Sequence, residues 1–226
     1  MGLYQQQYPL AFPIMNFNSR RRIEQPPPKR DFYYVFGGPG AGKGTICARL
    51  AHDLGLLHVC VGDLLRDDPD LNEMEDAMCE GKLVPNYVVA NALGRELSRT
   101  TGPVLLDGFP RSQDQMMMFQ HDFCPPKYAL YFSCDDKTME RRVLDRAQES
   151  NRVDDNVETF CKRCIQFETD TLPCIQSMKG IGRLVEVTKR GHWFDCSGDL
   201  DDVYHDIMMR LQQLMQWDGL DVMAFN

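Results

Sequence analysis

An apolar run, Phe32-Tyr33-Tyr34-Val35-Phe36, stops abruptly at a cluster of glycines (Gly37, Gly38, Gly40, Gly42 and Gly44), and Ile46, Ala48, Leu50 and Leu54 then follow at helical spacing. The pattern reads as strand, tight turn and helix start. Glycine lets the backbone wrap closely enough for successive N–H groups to face one anion. The helix N-terminus adds partial positive charge, and Lys43 supplies a mobile full charge. The spacing Gly37-x4-Gly42-Lys43 fits a phosphate-binding loop, which makes Gly38, Gly40, Ala41, Gly42, Lys43, Gly44 and Thr45 candidate phosphate contacts. The first hydroxyl after the lysine comes one place late, at Thr45, so no direct metal ligand is assigned to the loop. The bland alternative is a glycine-rich turn in a doubly wound sheet.

Charge is unevenly placed. Five basic residues against Glu24 give residues 1–30 a net +4, so with −8 overall the remainder carries −12. An acidic body argues against nucleic-acid binding, and any polyanion must be held by a local cluster of arginines. No apolar run approaches a membrane span, and no secretory leader is recognisable. A cytoplasmic monomer is expected, with no membrane partner. Residues 1–31, rich in Gln, Pro and Arg, read as a flexible tail and a candidate address or docking segment. Nine scattered cysteines read as reduced thiols. Cys161-x-x-Cys164 lies in a helical pattern without a second ligand pair, so no zinc is assigned. The five histidines show no metal spacing.

Further along, His58–Val61 is extended and turns at Gly62 into a helix presenting Arg66. Asn86 is placed as the cap of a helix running to about Leu97. Val104-Leu105-Leu106-Asp107 is a buried strand ending in a carboxylate, where Asp107 would organise Mg²⁺ and its waters. Ser112 caps Gln113–Gln120, Tyr128–Phe132 is a strand, and a helix from Asp136 carries Arg142 and Arg146. Helical periodicity resumes with Phe160, Cys164 and Phe167, and Pro173 is expected to kink or restart it. Arg183–Val187 is a strand, and Val203, Ile207, Leu211 and Leu214 mark a final helix. Alternating strands and helices predict an α/β fold with a central parallel sheet in three layers.

Five motifs in order, Gly37–Thr45, Gly62–Arg66, Gly81–Pro85, Asp107–Arg111 and Arg152–Asn156, resemble the nucleoside monophosphate kinases, the adenylate kinase and UMP-CMP kinase group, over residues 32–215. The resemblance implies a P-loop core (32–226) with a small helical NMP-binding lobe at about 61–90 and a short lid at about 147–157. It implies reversible transfer of a phosphoryl group from Mg·ATP to a nucleoside monophosphate. By resemblance, Lys43, Arg111, Arg152 and Arg163 are catalytic. Arg142, Arg146 and, more weakly, Gly198 join the loop in binding ATP. Val61, Arg66, Val84, Gly108, Arg111, Gln115, Arg152 and Arg163 bind the acceptor, and Asp154 and Asp155 latch the lid. Mg²⁺ is the implied cofactor, with no zinc.

Several positions depart from the family pattern. Cys60 stands for Ser, Val61 for Thr, and Ala147 and Asn151 for glycines flanking the lid, while Thr188–Trp193 looks inserted. Gln115 suits an adenine edge and favours AMP. The phosphate loop and Arg111–Asp114 read more like UMP-CMP kinase. The rival of another class is a nucleotide-binding scaffold with impaired turnover.

Overall fold

The computed structural model describes residues 30–68, 82–149, 152, 154–185, 194–195 and 199–217. The sheet is organised around β1 (Phe32–Gly37), which runs between β3 (Val104–Asp107) and β4 (Tyr128–Ser133). β2 (Leu57–Cys60) flanks β3. On the other side, β5 (Leu184–Val185) and β6 (Phe194–Asp195) pair successively with β4. All these pairings are parallel, and the order is β2-β3-β1-β4-β5. A parallel sheet covered on both faces calls for unbroken apolar strands rather than alternating ones, which β1 and β3 supply.

β1 sorts its side chains by parity. Phe32, Tyr34 and Phe36 pack with α3 (Asn86–Ser98), α4 (Gln113–Asp122) and α7 (Leu172–Gly180). Tyr33 and Val35 pack on the opposite face with α1 (Lys43–Leu54), α5 (Asp136–Glu149) and α8 (Leu200–Trp217). The result is the expected three-layer α/β architecture, helices on each side of one parallel sheet. Phe119 links much of the first layer: its ring centroid lies 5.0 Å from Phe32, 5.2 Å from Phe109 and 4.6 Å from Phe123.

Ligands of open parallel sheets bind outside the carboxyl ends of the strands. Because β1 and β3 are neighbours, the glycine loop after β1 and the Asp107-Gly108-Phe109-Pro110-Arg111 turn after β3 lie side by side, with Gly108 N–H donating to Val35 O. α2 (Val61–Arg66) follows β2 directly, and α6 (Val157–Gln166) brings in the residues after the lid.

Local expectations are corrected in two places. α2 begins at Val61, one residue before the expected turn at Gly62. Asn86 is the first residue of α3 rather than its cap; Pro85 occupies the cap position in extended geometry, its carbonyl accepting from Val88 and Val89. At Pro173 the helical segment restarts, as expected. A π-helical turn, Phe167–Thr171, joins α6 to α7, leaving Pro173 in the first turn of α7, where its missing N–H costs no intrahelical bond. The Ser112 cap is present, its hydroxyl accepting from Gln115 N at 3.2 Å. The seven cysteines among the described residues form no disulfide. Asn151, Gly198 and Thr188–Trp193 lie outside the described residues.

Candidate active site

The glycine loop has the geometry its sequence calls for. Gly40 has φ +79°, and a Cβ there would stand 2.3 Å from Met139 O, so no other residue fits without moving α5. Gly42, at φ +84°, is the N-cap of α1 and brings the chain into the helix. Lys43 Nζ donates to Gly37 O and Gly38 O, each at 2.8 Å, and thereby lies back along the loop. Burial lowers its pKa, the nearby Asp107 carboxylate opposes that, and Arg111 and Arg163 reinforce it. Gly44 and Thr45 are exposed at the start of α1, and Gly38 and Ala41 are buried in the loop. Arg142 approaches the loop from α5, its Nη1 3.7 Å from where a Gly42 Cβ would be.

Asp107 ends β3 with a buried side chain, 4% exposed, and faces His58 Nε2 at 3.3 Å. Its Oδ2 lies 3.7 Å from the Cβ position of Gly44, beside the first turn of α1. Cys47, from the next turn of that helix, completes a group whose ligand atoms all lie within 4.8 Å of one another. Spacing along the chain gave the histidines no metal pattern, and this grouping is one of space rather than of spacing. The three residues are far apart in sequence, and only the β2-β3-α1 packing brings them together.

The arginines converge. A Cβ at Gly62 would stand 3.2 Å from Arg66 Nη2 and 3.6 Å from Arg111 Nη2, so glycine there leaves space for two guanidinium forks. Arg111 is pinned by Nε donating to Gly108 O at 3.1 Å and by Thr171 Oγ1 donating to its carbonyl at 3.0 Å. Burial, and then the Arg66 charge, lower its pKa. Arg163 donates to Asp154 Oδ2 at 2.9 Å; burial and the neighbouring Arg111 push it down to about 10, still charged at neutral pH. Crowding cations this way builds a strong demand for a polyanion.

Asp154 and Asp155 pair with arginines of this cluster. Asp155 receives a two-pronged bond from Arg146, Nε and Nη2 each at 2.7 Å, and these bonds push the Arg146 pKa up. Asp154 faces both Arg163 and, at 3.7 Å, Arg66. The second anionic centre went unrecognised in the sequence. Asp63 Oδ1 accepts from Arg66 Nη2 and from Arg152 Nη2, both at 2.6 Å, joining Arg152 to the helix after β2 across 89 residues of chain. Its place in the Gly62–Arg66 motif was the available signal.

Two cavities open on these residues. One is lined by Val61, Gly62, Arg66, Val84, Gln115 and Asp154, among others. The second is lined by Gly37, Pro39, Lys43, Gln166, Phe167 and Thr171, among others. Gly108, Arg111 and Arg163 line both, forming a shared wall of one glycine and two guanidinium groups. Gln115 is 2% exposed, and its Oε1 accepts from Arg111 N at 2.9 Å, which fixes the amide against the first cavity. Lys43, Arg66, Arg111, Arg152 and Arg163 are thus brought together from four segments of the chain.

Comparison with known proteins gives the family. The chain is similar to uridylate kinase of Schizosaccharomyces pombe, 34% identical over 190 residues covering 79% of this chain and 96% of the relative. It is similar to the UMP-CMP kinase of Lentinula edodes, 33% identical over 201 residues covering 80% and 86%. Adenylate kinase 1 of Schistosoma mansoni is 34% identical over 193 residues, covering 82% and 94%. The family model described as adenylate kinase matches residues 35–182, which span the glycine loop, the Asp107–Arg111 turn, Arg152 and Arg163, and the chain accordingly belongs to the adenylate kinase family.

Proposed function

We propose that this enzyme transfers a phosphoryl group reversibly from Mg·ATP to a nucleoside monophosphate, AMP foremost. The observation carrying the proposal is the shared wall: two cavities, one beside Lys43 and one beside Arg66, meet at Arg111 and Arg163. Phosphoryl transfer needs little covalent chemistry from a protein. It needs two polyanions aligned, their repulsion neutralised, and water kept out.

In this reading Gly38–Thr45 and Lys43 receive the donor phosphates, with Arg142 beside the donor base and Arg146 near its phosphates. Arg66 and Arg111 clamp the acceptor phosphate beside Val61, Val84 and Gly108, and Gln115 meets the acceptor base. Arg163 and Arg152 then exchange carboxylate partners for the transferring group and close the lid, about 147–157, over the lobe, about 61–90. The donor set near α1 suits Mg²⁺, since Asp107 offers a buried hard carboxylate and Thr45 an exposed hydroxyl at the helix start. Bound with ATP, the ion would neutralise charge on the phosphates, with Asp107 holding its waters.

Acceptor choice rests on Gln115, whose oxygen is engaged by Arg111 N while its amide nitrogen remains a donor for a base. The names of the uridylate and UMP-CMP kinases among the relatives favour a second reading, UMP or CMP as acceptor. A coupled assay of ADP formation with AMP, UMP and CMP tests all of this. AMP is expected to give the highest kcat/KM. Faster transfer to UMP or CMP replaces the acceptor, and nucleotide binding without transfer to any acceptor favours a scaffold. Gln115→Asn is expected to lower the AMP-to-UMP preference by about tenfold, about 1.4 kcal/mol of discrimination, with the KM for ATP nearly unchanged. A cytosolic monomer belongs to the same proposal; no helix among the described residues is long and apolar enough to cross a membrane.

A further inference from the structure

Cys47 has no part in the transfer chemistry, yet it faces two metal-binding side chains. It comes from α1, His58 from β2 and Asp107 from the end of β3, with one ligand atom of each within 4.8 Å of the others. His58 Nε2 stands 3.3 Å from Asp107 Oδ2. In a tetrahedral zinc site with Zn–S near 2.3 Å and Zn–N and Zn–O near 2.0–2.1 Å, ligand atoms are about 3.3–3.7 Å apart. The imidazole–carboxylate edge is therefore already at ligand spacing, and the thiol edges need about an ångström of side-chain adjustment. Cys47 and Asp107 are buried, whereas the His58 side chain is 21% exposed and gives the cluster an open side. A thiol, an imidazole and a single carboxylate match zinc; Mg²⁺ takes oxygen ligands in octahedral geometry.

We propose that Cys47, His58 and Asp107 form an inhibitory zinc site next to the phosphate-binding loop. Zn²⁺ binds Cys47 Sγ, His58 Nε2 and one Asp107 oxygen, with water in the fourth position; the thiol proton passes to buffer. Occupancy engages the carboxylate assigned to the waters around Mg·ATP and so slows transfer. The binding stands independently of the assigned activity, while the inhibition rests on it.

The test titrates the full chain, reduced by a non-chelating phosphine and free of Mg²⁺, with Co²⁺ as a spectroscopic stand-in. A thiolate-to-cobalt charge-transfer band is expected, displaced by one equivalent of Zn²⁺ and lost in Cys47→Ala. In the Mg·ATP assay, the zinc concentration for half-inhibition should rise at least tenfold in Cys47→Ala, whose zinc-free rate stays within twofold of the parent; EDTA should restore the parent. Cys47→Val, which refills the space, serves as the second variant and is expected to behave the same way. No thiolate band in the parent, a band surviving in either variant, or equal zinc sensitivity in all three proteins overturns the site. A parent that shows the band but no transfer overturns the assigned activity and leaves the site standing.

Discussion

At the residue scale the site is governed by positions where chemistry and shape admit one side chain. Gly40 is one: its positive φ and the 2.3 Å approach of Met139 O leave no space for a methyl group. Gly40→Ala is expected to cost about 2–3 kcal/mol of stability through backbone strain and displacement of α5, and to abolish saturable ATP binding. Denaturation with and without ATP checks it: the parent is stabilised by nucleotide and the variant is not. Arg163 is another. Its guanidinium bonds Asp154 while lining both cavities, and an ammonium cannot reproduce a planar fork directed at several acceptors. Arg163→Lys should lower kcat about a hundredfold, about 2.7 kcal/mol of transition-state stabilisation, with the KM for ATP changing less than about threefold in steady-state kinetics.

At the scale of elements, the segment proposed as the lid is joined to α2 through carboxylates, Asp154 facing Arg66 and Asp63 bridging Arg66 and Arg152. Asp63 accepts from Arg66 and from Arg152 through the same oxygen, so one carboxylate holds two proposed phosphate ligands. Asp63→Asn is expected to speed amide hydrogen exchange over residues 154–160 in the nucleotide-free protein, with protection restored by ATP plus acceptor. Burial raises the Asp63 pKa, but hydrogen bonds from Cys60 and Arg66 and the charge of Arg152 outweigh it and hold the value below the ordinary 3.8. A carboxylate with a depressed folded value adds stability that is complete above the unfolded pKa and is lost as pH falls through the folded one. The lid of the parent should therefore keep its protection down to about pH 4 and lose it only below 3.8, while Asp63→Asn is already unprotected at neutral pH. Exchange measured across that range separates the two.

At the scale of the whole molecule, the arginine cluster depends on an aromatic core beneath it. Phe119, 1% exposed, packs edge-on to Phe32 and Phe109 and stacks on Phe123, tying α4 to β1 and to the turn that carries Arg111. Phe119→Ala should cost about 3–5 kcal/mol in urea unfolding with little change in the denaturant slope. Before global unfolding it should weaken acceptor affinity more than ATP affinity, because Arg111 hangs from that turn; equal losses for both nucleotides would break the link between this core and the acceptor side.

The sequence by itself determined the features whose causes are local. A glycine cluster between an apolar strand and a helical repeat dictates the loop, continuous apolar strands dictate a sheet buried on both faces, and Ser112 dictates where α4 begins. Arg66, Arg111 and Arg152 pointed to a polyanion site for the same reason, since each lies within a short motif. Asn86 misled because more than one arrangement meets the same local demand: a proline can precede a helix as well as an asparagine. Only the tertiary structure decided that Asp63 meets Arg152, that Cys47, His58 and Asp107 share one corner, and that two cavities have Arg111 and Arg163 in common. Those facts follow from strand register and helix docking, and register joins residues by their positions in space, which no spacing along the chain encodes.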